Sequence, residues 1–301
     1  MVTRRLLALF LCNFAILFVG FGVFPLLPVY AAEFGATPTL IGVYLAVTYL
    51  AITLGNLLTS WLSGRVSRKA VFVAAGMIGV PALFLLGQVT TLWQVVVLTS
   101  VVWFTGGVGL SLVSVFIGLH ADEGNRGRWF SLIALTNPLA AVIGGSFVAW
   151  MVAWQGYSLM FASLGLVYAI WPLVGLWEVQ DKPVTKAARP EAIKSSNLSP
   201  GKGYHWLLLA VLLSALTVSV VRLGLSLSMK AIHFSPAVIA GTNVVGGLVT
   251  IPVLLGFGAL SDRLGRRLFL ILGFLLAALS GVILATAGQF WHFWGSRQQY
   301  W

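Results

Sequence analysis

The sequence predicts an all-α polytopic membrane protein, and three observations carry that expectation. Of 301 residues, 59% are hydrophobic and only 8% are charged, against roughly 25% charged in an ordinary soluble domain. The mean hydropathy is +0.98. The apolar stretches run unbroken for about 20 residues, enough to cross ~30 Å of hydrocarbon as a helix, and they do not alternate as barrel strands would. Too few charges remain to coat a soluble globule, so soluble, disordered and collagen-like classes are excluded.

Nine spans follow from that length criterion: 6–31, 40–62, 70–87, 94–118, 129–153, 158–177, 206–229, 236–257 and 268–288. The first follows Arg4 and Arg5, and Val29-Tyr30-Ala31 resembles a signal-peptide cleavage site. Its apolar stretch outruns the ~7–15 residues of a signal core, however, and Pro25 and Pro28 stand near its end, so it reads as a retained span. Spans two and three are separated by the basic turn Leu62–Lys69, and spans four and five by a turn carrying Arg126 and Arg128. After span six comes a polar stretch with Pro183, Pro190 and Pro200, read as a linker before spans seven to nine. The expected organisation is 1–178, a six-span bundle; 179–204, a cytoplasmic linker; and 205–301, three further spans with a short tail.

Charge distribution sets the expected orientation. Fifteen of the 18 Lys and Arg residues fall in one set of alternate connections, and the opposite set keeps only Lys230 and Arg297. Positive-inside bias then puts the N-terminus in the cytoplasm. Trp61, Trp93, Trp129, Trp154, Trp177, Trp206, Trp291 and Trp294 stand at expected span ends, where an indole prefers the interface. The net charge of +11 is therefore a topology signal, and no nucleic-acid partner is expected.

An internal repeat runs at an offset of 198 residues. Pro38-Thr39-Leu40-Ile41 meets Pro236-Ala237-Val238-Ile239, and the turn at Leu62–Lys69 meets that at Leu260–Arg267. Two parallel membrane repeats joined by a polar linker describe a known transporter plan. Gly258, Leu260, Asp262, Arg263, Gly265, Arg266 and Arg267 occupy every fixed position of the G-x-L-x-D-R-x-G-R-K/R signature of the major facilitator superfamily, which the chain resembles over essentially its whole length. The first-half copy is degenerate. Leu62, Arg65, Arg68 and Lys69 remain, while Ser60 and Ser67 replace glycines and Gly64 replaces the acid.

The resemblance implies a major-facilitator-type fold, with a complete N-terminal six-helix bundle and about three helices of the C-terminal one. It also implies a secondary active transporter, a permease or exporter of the cytoplasmic membrane, working by alternating access on an unidentified small solute with a coupling proton or sodium ion. The motif around Asp262 implies a cytoplasmic gating latch, with the start of span five near Gly127–Trp129 as the expected acceptor. On the two-half plan roughly 383 residues are needed, so a chain truncated after the ninth span is expected. A transport-inactive remnant and a non-transporting receptor on the same scaffold are the alternatives.

Polar residues inside spans mark a path or bond helices together. No Asp or Glu falls inside any span, and Glu33 reads as a solvated loop charge just beyond the first. Arg222 is the exceptional charge. With Ser219 and Ser226 it shares one face of span seven, as a contact for a polar solute or as an arginine reaching outer headgroups. Asn13, Asn137, Asn56 (on a face with Tyr49, Thr53 and Ser60) and Asn243 complete the path candidates, with interhelical bonding as their other reading.

No enzymatic role, cofactor or metal is expected. Cys12 is a lone thiol, His120, His205, His233 and His292 lie near span ends, and no metalloprotease or nucleophile-elbow pattern occurs.

Overall fold

The structure, a computed structural model, describes residues 2–63, 65–120, 126–179, 202–264, 271–276, 278, 279 and 282, and it holds no strand among them. In chain order the helices are α1 (Val2–Val23), a 3-10 turn (Phe24–Leu26), α2 (Leu27–Glu33), α3 (Pro38–Leu62), α4 (Arg68–Leu86), α5 (Leu92–His120), α6 (Arg126–Ala134), α7 (Thr136–Glu178), α8 (Lys202–Ala231) and α9 (Pro236–Leu264). By packing the chain divides into two compact units. One takes in Met1–Asp181 and Ser226–Gly256, the other Lys182–Leu225 and Phe257–Gln299.

Among the described residues, five stretches are long and apolar enough to cross a membrane, all in the larger unit: Arg4–Glu33, Pro38–Leu62, Arg68–Leu86, Leu92–His120 and Trp129–Glu178. The first is continuous across Pro25 and Pro28, which lack the N–H an α-helix needs and convert one turn to 3-10. The last is two arms. Gly156 breaks α7 at φ +71°, ψ −175°, a region open essentially to glycine alone. The first arm runs in the direction of α1, for Asn13 meets Thr136 and Gly22 meets Val148. The second runs back, with Tyr157 beside Tyr30, Trp171 beside Cys12 and Glu178 beside Arg4. The break falls in the gap the sequence leaves between spans five and six.

α1 packs on both arms of α7, α3 on α5, and α4 on α5 and the second arm of α7. Trp171, Tyr44, Tyr168, Phe72, Phe116 and Phe161 are wholly buried at these contacts. Trp61, Trp93, Trp154 and Trp177 are exposed at helix ends, as interfacial indoles are.

The internal repeat is visible in the backbone. Both α3 and α9 begin with a hydroxyl cap followed by proline: Thr37 accepts from Leu40 N–H and Ser235 from Val238 N–H, each at 3.4 Å, with Pro38 and Pro236 opening the helices. The turns before them also correspond. Gly35 (φ +76°) and His233 (φ +65°) stand 198 residues apart, and both sit in the left-handed region. After Gly35, Ala36 N–H donates to Ala31 C=O; after His233, Phe234 N–H donates to Met229 C=O. That is the same Schellman-type helix end in each half.

Candidate functional site

Polar side chains in a bilayer find partners on neighbouring helices, because hydrocarbon offers none. Asn13 is buried in the larger unit and donates to Thr136 Oγ1 at 2.6 Å; Thr136 in turn donates to Ile133 C=O at 2.5 Å. This chain ties α1 to the start of α7. Asn137 is exposed and donates to Ala134 C=O at 3.1 Å, across the join of α6 and α7.

Asn243 donates to Phe21 C=O. The physical reason lies in α1: that carbonyl would accept from the N–H of residue 25, which is a proline. A side chain of α9 thus fills a bond that Pro25 leaves open. Beside it, Gly145 and Gly247 bring α7 and α9 close, with Val244 and Val142 as their neighbours. Lys230 donates to Val29 C=O at 3.2 Å from the end of α8. The charge pattern alone gave no sign of this partner.

Asn56 is exposed, as Asn137 is, but it bonds to a neighbouring helix. Its Oδ1 accepts from Ser111 Oγ at 2.7 Å, joining α3 to α5. Tyr49, Thr53 and Ser60 are also exposed on α3, and Ser114 on α5. Together they make an accessible polar strip on this helix pair. The partner Ser111 was not singled out by sequence, although its spacing from Ser114 puts both near one face.

On α8, Ser226 is buried and Ser219 half-buried; the Arg222 side chain lies outside the described residues. In the signature motif, Gly258, Leu260, Asp262 and Arg263 lie in the last turns of α9. Their side chains, and Gly265, Arg266 and Arg267 altogether, lie outside the described residues. Of the expected acceptor, the side chain of Arg128 likewise lies outside the described residues, and Trp129 is half-buried.

The first-half copy is described apart from Gly64. Leu62 closes α3, Ser67 caps α4 by accepting from Ala70 N–H, and Arg68 opens that helix. The Arg65 guanidinium lies 4.0 Å from the centre of the Trp61 ring, a cation–π contact. Lys69 Nζ donates to Leu176 C=O at 2.6 Å, placing a cation at the negative end of α7. Arg4 pairs with Glu178 one turn away. Basic residues of three elements therefore gather at one end of the unit.

Residues 9–297 match the Major Facilitator Superfamily. The chain belongs to that family. It is similar to the inner membrane transport protein YnfM of Escherichia coli (strain K12), with 24% identity over 284 residues, 88% of this chain and 64% of the relative. The chain thus spans less than two thirds of that relative's length. Among solved structures, a bacterial homologue of the human lysosomal transporter Spinster, inward-facing and unoccupied, superposes with a TM-score of 0.65 at 15% identity, covering 88% of this chain and 64% of that one. A D-xylose–proton symporter gives 0.64 at 16% identity, over 88% and 69%. The peptide transporter POT in complex with sulfate gives 0.64 at 16%, over 95% and 75%. Likeness at these identities establishes the fold: a multi-pass helical membrane protein of the major facilitator type.

Proposed function

We propose that the chain works as a secondary active transporter for a small solute, by alternating access between a bundle formed by residues 1–178 and a second half, 205–301, joined by a cytoplasmic linker at 179–204. The observation that carries this reading is the family match from residue 9 to 297. Two membrane repeats joined by a polar linker supply the parts that alternating access requires. The N-terminus lies in the cytoplasm on the positive-inside argument. A proton or sodium ion supplies the driving force. No enzymatic step is part of the proposal.

The path residues enter in two roles. Asn56, with its Ser111 partner, and the Ser219–Arg222–Ser226 face of α8 contact the solute. Asn13, Asn137 and Asn243 bond protein groups and position the helices that line the path. Asp262 caps the start of span five as the cytoplasmic latch, since a carboxylate is favoured at a helix N-terminus.

The test is solute-dependent proton or sodium flux in vesicles containing the purified chain, read with an internal ion-sensitive dye over a panel of sugars, peptides and organic cations. At least one solute evokes flux above empty vesicles, the response falls at least about tenfold in Arg222→Ala, on the loss of a charge-assisted contact, and Asp262→Asn alters access from the cytoplasmic side. Flux indistinguishable from empty vesicles for the whole panel overturns the transport reading.

A further inference from the structure

α3 and α4 each lean on α5 while barely touching one another. Between them lies a cavity of about 860 Å³, running from Val47 to Leu62 along α3, floored by α5 and lined on α4 by small side chains such as Ala70 and Ala74. Fifteen residues of helix make it about 22 Å long, somewhat more than the ~15 Å of one hydrocarbon leaflet. Only two hydroxyls reach its wall, and both are already used. Ser100 donates to Val96 C=O at 2.7 Å, and Thr105 to Val102 C=O at 3.0 Å. The groove therefore has nothing to offer a polar solute, whose own groups would go unpaired there.

One end of the groove differs sharply. Past Leu62 and Val66 the chain presents Arg65, exposed and held over the Trp61 ring, and Arg68 at the first turn of α4. The Ser67-capped N-terminus of α4 adds its positive dipole end at the same place. An apolar channel about one acyl chain long, whose lining residues Leu62 and Val66 flank Arg65 in the chain and whose Ala70 lies in the first turn of α4, is complementary to a molecule with a hydrocarbon tail and an anionic head. Arginine binds phosphate oxygens through paired N–H donors.

We propose that the α3–α4–α5 groove is a binding site for one anionic phospholipid, with an acyl chain laid along Val47–Leu62 and its phosphate held at Arg65 and the start of α4. The anchoring turn is the first-half copy of the signature, in which Gly64 replaces the acid. A carboxylate there would repel the phosphate; its loss leaves the turn purely cationic. The site is separate from the proposed solute contacts, and its readout is binding, so it stands or falls independently of transport.

The experiment is native mass spectrometry of the full chain in mild detergent, titrated with phosphatidylglycerol or phosphatidylcholine of matched chains. Phosphatidylglycerol is retained several-fold more, one molecule at the tightest site. Arg65→Ala lowers its occupancy about tenfold, the scale of one charge-assisted hydrogen bond, and leaves phosphatidylcholine unchanged. Ala74→Phe fills the groove and displaces both lipids; should that variant fail to fold, the surface change Arg65→Ala carries the test alone. Equal retention of the two lipids, or phosphatidylglycerol occupancy unaffected by Arg65→Ala, overturns the proposal. A photo-crosslinking residue at Ile78, which also lines the groove, provides an independent reading. A lipid-mass adduct supports the site, and an adduct with a second copy of the chain overturns it.

Discussion

His233 occupies the left-handed region at φ +65°, where the other half of the repeat has Gly35 at φ +76°. A residue with a Cβ loses roughly 1–2 kcal/mol there, whereas glycine does not. His233→Gly should therefore stabilise the turn between α8 and α9 by about 1 kcal/mol, after the entropy of a freer unfolded chain is subtracted. A rise in the thermal midpoint of the purified protein checks this; no rise, or a fall, means the imidazole makes a compensating contact. A second residue-scale prediction concerns Phe21. Its carbonyl accepts from Asn243 because Pro25 has no N–H to give. In Pro25→Ala the helix supplies that donor, so Asn243→Ala should cost less than in the native background. Bonds of this kind in membranes are worth about 0.6 kcal/mol and at most ~1.7. A double-mutant thermal-unfolding cycle reads the coupling, and strict additivity would show that the two groups do not compete for one carbonyl.

At the scale of elements, α3 and α5 approach closely. A Cβ on Gly55 would lie 2.2 Å from Phe104 O, and one on Gly107 would lie 2.4 Å from Ile52 O. Both obstacles are backbone atoms, which cannot rotate away as a side chain does. Gly107→Val must then push the helices apart, at a cost of about 1–3 kcal/mol for overpacking. The expected result is a lower thermal midpoint together with loss of the Asn56–Ser111 bond, seen as a longer spin-label distance between α3 and α5. An unchanged distance would mean that the helices already sit further apart. This scale also shows what was legible in the chain. The spans through residue 178 follow from apolar runs long enough to cross hydrocarbon, and the Gly156 reversal falls where a span boundary was expected. The shared starts of α3 and α9 follow from the Thr37-Pro38 and Ser235-Pro236 pairs. The partners were not legible. Asn13 finds Thr136 and Lys69 finds Leu176 across more than a hundred residues, and a span's periodicity does not set its register against a distant neighbour. Such residues read equally as path-lining or structural until that register is known.

Across the whole molecule, charge decides how the chain sits in the membrane. Arg4, Arg65, Arg68 and Lys69 stand at one end of the larger unit, and two are anchored there, Arg4 on Glu178 and Lys69 on the final turn of α7. The loop between α4 and α5, at the other end of those helices, carries no charge from Gly87 to Thr91. Moving the basic end across hydrocarbon is opposed by each Lys and Arg, at roughly 2.5–3.5 kcal/mol per residue at mid-membrane, while the uncharged loop crosses freely. The Thr90 loop should therefore face outside and the linker around Thr185 inside. In a Cys12→Ser background, a membrane-impermeant maleimide applied to intact cells labels Thr90→Cys, and labels Thr185→Cys only after the membrane is opened. The reverse pattern would overturn the orientation. It would also put the proposed Asp262 latch and the proposed Arg65 lipid anchor on the outer face, away from the cytoplasmic side on which both proposals place them. One labelling experiment thus bears on the transport cycle and on the lipid site through a single physical cause, the uneven placement of 18 basic residues.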